Sequence, residues 1–228
     1  MKENLSFLIL VLFGIAVIFI GGYLVYKNRQ LVGGEIFKNI DGINKNIDGS
    51  LENEMAKKDT PEIFSPLDRS SERITKKKFG DYITWQNSPV QPERFSGFHT
   101  GVDFEVFANE LNSEVKVKAI CGGNILLKEY IAGYGGVVVE SCVLDNEPVT
   151  VLYGHLRLDS INKNIGEDMM PGEILGSLGA AYSQETDGER KHLHLGIHRG
   201  SQISVLGYVQ SQAELVDWFD PCDYICNQ

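Results

Sequence analysis

From Leu5 to Tyr26 the chain reads LSFLILVLFGIAVIFIGGYLVY, a run without a charge. At ~1.5 Å of rise per residue such a run crosses the ~30 Å hydrocarbon core of a bilayer. A buried core helix is normally shorter and keeps a polar face. A cleaved signal has an apolar stretch of ~7–15 residues that ends at a small-x-small site, and no such site follows here. The pattern predicts a tail over 1–4 and an uncleaved, single-pass transmembrane helix over 5–26. Residues 27–79 are polar. KNIDG occurs at 38–42 and again at 45–49, and Ile40, Ile43, Ile47 and Leu51 form a thin helical stripe too short for a coiled coil. This stretch reads as a partly helical linker, with Lys76-Lys77-Lys78 as a solvated charge run.

From Phe79 the chain changes to short β-branched and aromatic runs broken by Gly, Asn, Asp and Pro. These predict strands at 82–85, 102–107, 115–120, 124–131, 136–143, 149–155, 173–178 and 192–198. EYIAGYGGVVV (129–139) and LDNEPV (144–149) read as hairpin turns. A helical pattern returns only at Gln212–Trp218. The expectation is a mainly β domain over 80–228.

Charge narrows the function. Residues 1–79 hold 12 Lys/Arg against 10 Asp/Glu, whereas residues 80–228 hold 9 against 21. A domain that acidic has no electrostatic footprint for nucleic acid.

Four of the five histidines fall into short patterns that suit a metal site. His99 and Asp103 are both zinc-ligand types. In an extended strand residues i and i+4 lie ~13 Å apart, so this pair can meet only across a bend, placed at Thr100–Gly101. In His192-Leu-His194-Leu-Gly-Ile-His198 the alternation is strict. His192 and His194 share one strand face and the aliphatic residues share the other, with His198 further along as a rim residue. His155 ends the strand run VTVLYGH. Three protein ligands leave a fourth zinc position for water, whose pKa the ion lowers from 15.7 to about 7, and neighbouring histidines can move protons and stabilise an oxyanion.

H-x-x-x-D, then YGHL, then HLH, in this order, resembles the M23 family of zinc metallopeptidases, of the LytM or lysostaphin type. FHTGVDFEV, GYGGVVVE, PGEILGSLG and DWFDP extend the likeness over about residues 80–225. The resemblance implies a single antiparallel β-sheet domain with a groove. With the apolar run as its membrane anchor, it implies a membrane-anchored zinc metalloendopeptidase hydrolysing peptide bonds in peptidoglycan stem peptides or crosslinks. It also implies one Zn2+ per chain on His99, Asp103 and His194, with His155 and His192 as the catalytic pair. DGERK (187–191) departs from the small, Gly/Ser/Pro-rich loop usual before H-x-H. A non-catalytic, peptidoglycan-binding regulator that activates another hydrolase is the alternative, and a structural protein with a fortuitous histidine cluster is a third. Lys27, Arg29 and Lys38 follow the apolar run, so the positive-inside rule alone puts the domain in the cytoplasm. The wall substrate implied by the resemblance puts it outside, and the expectation follows the substrate.

Cys121, Cys142, Cys222 and Cys226 allow three pairings. Cys222 and Cys226, one helical turn apart, are within disulfide range. A Cys121–Cys142 bridge needs a bulge, placed at Gly122-Gly123. Buried free thiols are the other reading. Oligomeric state has no sequence signal.

Overall fold

The computed structural model describes residues 62–226. The chain divides into two units, Met1–Asp59 and Thr60–Gln228, and the described residues lie in the second. The expected span over 5–26 lies outside them. Among the described residues no helix is long and apolar enough to cross a membrane.

The elements are α1 (Ser70–Arg73), β1 (Tyr82–Ile83), β2 (Gly97–His99), β3 (Gly101–Glu105), β4 (Lys116–Lys118), β5 (Gly123–Ile131), β6 (Gly135–Leu144), β7 (Glu147–Arg157), β8 (Asp168–Met169), β9 (Ile174–Leu178), β10 (His192–Arg199), β11 (Tyr208–Val209), β12 (Trp218–Phe219) and α2 (Cys222–Ile225). All pairings are antiparallel. They form not one sheet but two: a nine-stranded sheet with the path β12-β10-β7-β6-β5-β8, and a three-stranded sheet β1-β2-β11. The eight expected strands are present. The four not expected (β2, β8, β11 and β12) have two or three residues each, too few to show a period. The helical pattern at 212–218 is a 3-10 helix over Gln212–Asp217.

Two-residue periodicity sorts the large sheet into two faces. Leu193, Leu195 and Ile197 of β10, Val102 and Phe104 of β3, and Val151 and Tyr153 of β7 are fully buried on one face, in the main core. The opposite face carries His192 and His194, with a smaller apolar cluster of Tyr134, Val137, Val139 and Leu152 beside them. The β6–β7 turn at Asp145-Asn146 has φ 51° and 63°, the left-handed pair of a tight hairpin.

Residues 62–79, the end of the expected linker, pack on this domain. Leu67 is buried in the main core. Phe64 N–H donates to Ile120 O, and Lys118 N–H donates to Pro66 O. Lys77, expected to be solvated, is buried against Glu93 and donates to Tyr208 Oη at 2.9 Å. Composition misreads this segment because its apolar residues are sparse while its backbone bonds are many. Cys121 bonds to Cys142 and Cys222 to Cys226, with Cα separations of 6.0 and 4.6 Å. The bulge in β5 falls between Ile125 and Leu127, three residues after the expected place.

The core face hides one carboxyl. Glu140 is fully buried, its Oε2 accepts from Tyr153 Oη at 2.8 Å, and its Oε1 has no partner among the described residues. Burial pushes its pKa up to about 8, against the opposing Tyr153 hydrogen bond. An unfolded glutamate titrates near ~4.3. The fold therefore favours the protonated form, and that stability is complete below ~pH 4.3 and lost as pH rises through about 8. Urea unfolding of wild type and Glu140→Gln at pH 5, 7 and 9 is expected to show the wild type losing stability relative to the variant with rising pH. Parallel pH profiles would refute the buried-acid account.

Candidate metal and proton-transfer site

His99 ends β2 in the small sheet, and Asp103 lies within β3 in the large one. The chain turns between them at Thr100–Gly101, which is how an i, i+4 pair meets without a helix. Thr100 holds the turn: its N–H donates to Gly207 O at 3.1 Å and its hydroxyl donates to Leu206 O. Gly101 is required by space. A Cβ there would lie 2.3 Å from Leu195 O and 2.8 Å from His194 Nε2.

Register brings in the third donor. His194 of β10 stands opposite Asp103 of β3 on one side and Gly154 of β7 on the other. His99 Nε2 and His194 Nδ1 are 3.0 Å apart, and Asp103 Oδ1 lies 3.3 Å from the first and 3.1 Å from the second. All three residues are buried.

His155 joins them through an irregularity. Strict alternation would send it to the face opposite Gly154. The β6–β7 register slips there, with Gly136 opposite Leu156 but Val137 opposite Gly154, so His155 is the extra residue of a bulge. Its φ is 64°. Bulges re-aim side chains, and this one brings the His155 ring against His192, with centroids 4.1 Å apart and the planes tilted by 37°. His192 donates from Nδ1 to Arg190 O at 2.9 Å. The five residues expected from the sequence thus converge, while His198 packs on Trp218 outside the cluster.

The electrostatics follow from burial. Burial opposes ionisation of Asp103, but the positive potential of His192, His99 and Arg190 holds its carboxyl well below the usual range. Burial, reinforced by the His192 charge, holds His155 well below the ordinary histidine pKa. Burial pushes His194 down to about 4 despite its bond to Asp103. The imidazoles of His155 and His194 are therefore neutral at pH 7, and the carboxylate is ionised.

This donor set fits a divalent cation. His99 Nδ1 lies 3.1 Å from Lys78 O; a proton donated there leaves the lone pair on Nε2, facing the other two donors. Carbonyl-held imidazoles are the usual support of metal-ligating histidines. The donors stand 3.0–3.3 Å apart, close to the ~3.3 Å edge of a tetrahedron with bonds of ~2.0–2.1 Å. A cavity of about 280 Å³ opens over them, walled by Phe95, Tyr134, His155, Val205 and Leu206 among others.

Sequence reading missed Tyr134 and Arg190. Tyr134 lies in the quoted GYGG turn, where the glycines drew attention instead. Its ring contacts His155 and His194, with centroids 5.4 and 5.2 Å away. Its buried hydroxyl has no partner among the described residues, and burial raises its pKa, so the proton stays on.

Residues 97–205 match the family model described as Peptidase family M23. No curated protein sequence matches the chain. Several solved structures resemble it, three of which follow. The catalytic domain of the antimicrobial peptidase lysostaphin from Staphylococcus simulans has 20% identity and a TM-score of 0.45, covering 70% of this chain and 97% of that one. LytU has 25% identity and a TM-score of 0.43, covering 66% and 82%. The SpoIIQ-SpoIIIAH pore forming complex has 15% identity and a TM-score of 0.46, covering 73% and 92%.

His155 occupies a backbone region that costs an L-residue ~1–2 kcal/mol and glycine almost nothing. At an ordinary strand position Ala is the more stable choice; here the order should reverse. His155→Gly is expected to be more stable than His155→Ala by about 1 kcal/mol in urea unfolding. The Ala variant being the more stable would show that the strain is absent.

Proposed function

We propose, from the premise that this chain carries a peptidase family M23 domain, that it is a zinc metalloendopeptidase hydrolysing peptide bonds of peptidoglycan stem peptides or crosslinks. One observation carries the reading: three buried donors, His99 Nε2, Asp103 Oδ1 and His194 Nδ1, meet beside the adjacent pair His155–His192 at the floor of an open cavity. A protein that only binds the wall needs neither the donor set nor the bulge that turns His155 toward it. The substrate class comes with the family resemblance.

His99, Asp103 and His194 would hold one zinc ion, which when bound supplies Lewis-acid polarisation of the scissile carbonyl and acidification of water. His155 is neutral, and its buried Nδ1 has no partner among the described residues, so its imidazole is free to take a proton from the attacking water. His192 is oriented by the Arg190 carbonyl and packed on His155, which suits it to pass a proton to the leaving amine. The Tyr134 hydroxyl, protonated and unpartnered, is a donor for a developing oxyanion. Phe95, Val205 and Leu206 give the cavity apolar walls that exclude water around a bound peptide.

The test uses the full-length chain and chemically defined muropeptides, with fragments read by mass spectrometry. His194→Ala is expected to lose both bound zinc and cleavage. His155→Ala and His192→Ala are expected to keep zinc and melting temperature yet cleave at least ~100-fold more slowly, the usual loss for a general acid or base. Equal zinc content in all three variants would sink the ligand assignment.

The same reading places residues 5–26 as an uncleaved anchor and the domain outside the cytoplasm, where the wall is and where disulfides persist. Protease added to cells with permeabilised outer layers should degrade the domain. Protection until the inner membrane is lysed would favour the positive-inside orientation instead.

A further inference from the structure

We infer that Arg190 is a positioning residue that confines Asp103 to a single metal-facing oxygen. The inference rests on the zinc-site reading and goes beyond it, because it assigns a role to the DGERK segment. The two oxygens of Asp103 face different partners. Oδ1 points at His99 Nε2 and His194 Nδ1. Oδ2 accepts from Arg190 Nη2 at 2.7 Å, with His192 Nε2 further off at 3.4 Å.

Arg190 is itself fixed. Its Nε lies 2.9 and 3.0 Å from the two carboxylate oxygens of Glu105, and Nη2 reaches Glu105 Oε1 at 2.6 Å. Asp103 and Glu105 are i, i+2 on β3 and so share its site face, with Glu105 opposite His192 in register. One planar guanidinium therefore bridges two carboxylates along the strand. Lysine, a point donor, has no equivalent geometry. The side chain is 8% exposed, so neither carboxylate can exchange this partner for water at low cost.

The consequence for the metal is geometric. A carboxylate with both oxygens free can close on a cation in bidentate fashion and raise its coordination number. With Oδ2 held by a charge-assisted bond, Asp103 offers one oxygen, which keeps the site four-coordinate with a position open for chemistry. The bond also withdraws charge from the ligating carboxylate, leaving the cation more electrophilic. Outer partners of this kind orient metal ligands. Here the partner is supplied from the chain immediately before H-x-H.

Cobalt(II) substitution of the full-length chain reads coordination number directly, because four-coordinate cobalt absorbs several-fold more strongly in the visible than five-coordinate cobalt. Wild type is expected to give the strong four-coordinate spectrum, and Arg190→Met the weak five-coordinate one at full occupancy. Arg190→Met removes the cation between two carboxylates, leaving Glu105 with Lys76 at 3.3 Å and Asp103 with its three histidines. The double variant Arg190→Met/Glu105→Gln removes one of those charges, and it should fold and show the same weak spectrum. A strong spectrum in both variants, or a five-coordinate wild type, overturns the inference while leaving the metal site standing. A wild-type chain that takes up no cobalt overturns the metal site and this inference together.

Discussion

A carboxylate buried on β3, a strand that pairs with β10 alone, is the constraint around which this domain is arranged. Asp103 is 2% exposed, and removing a charge from water costs several kcal/mol unless it is met by opposite charge and hydrogen bonds. Each neighbouring strand contributes to meeting that cost. β3 supplies Glu105, which positions Arg190 on Oδ2. β10 supplies His194 and His192 in register, and the bend after β2 returns His99 to Oδ1. A sheet face that buried only aliphatic side chains would need none of this. The polar cluster is a local departure from the rule of an apolar interior, and it sits at the floor of the cavity.

The sheet can carry that departure because its other face is conventional. Leu193, Leu195 and Ile197 alternate with the β10 histidines and are fully buried. The strand that positions the site is thus the one most firmly held in the core. Donors on such a strand move little relative to one another, and this matters for a tetrahedral ion with bonds of ~2.0–2.1 Å. Where alternation alone would misplace a group, the backbone bends: the β7 bulge gives His155 a left-handed φ and brings it onto the site face. Strain is located at a residue of the histidine cluster and held in place by the pairing on either side.

This division explains what the sequence made legible. Alternation in HLHLGIH sorts residues by face without reference to any partner strand, so β10 and its two inward histidines were readable directly. The bend at Thr100–Gly101 was also readable, because the ~13 Å span of four extended residues excludes the straight alternative. The His155 bulge was not, since a slip in register is a property of two strands and VLYGHL records only one. Lys77 was misread for a related reason. Three consecutive lysines look solvated, and only the fold brings Glu93 and Tyr208 to one of them. Arg190 registered as a departure from a loop pattern; its meaning lies 87 residues away, at Asp103.

The same logic sets where the working unit begins. The family model starts at residue 97, yet hydrogen bonds that orient His99 and Asp103 come from earlier in the chain. Lys78 O holds His99 Nδ1 at 3.1 Å, Lys77 O accepts from Asp103 N–H at 3.1 Å, and Gly80 N–H donates to His99 O at 2.9 Å. Without that segment His99 would lose the carbonyl that keeps its Nε2 lone pair directed at Asp103 and His194. Asp103 would lose a backbone partner in a place water does not reach. Backbone groups carry no residue signature, so a model built on side-chain pattern stops short of them. The chemistry does not, because an imidazole ligates only from the nitrogen its other hydrogen bond leaves free.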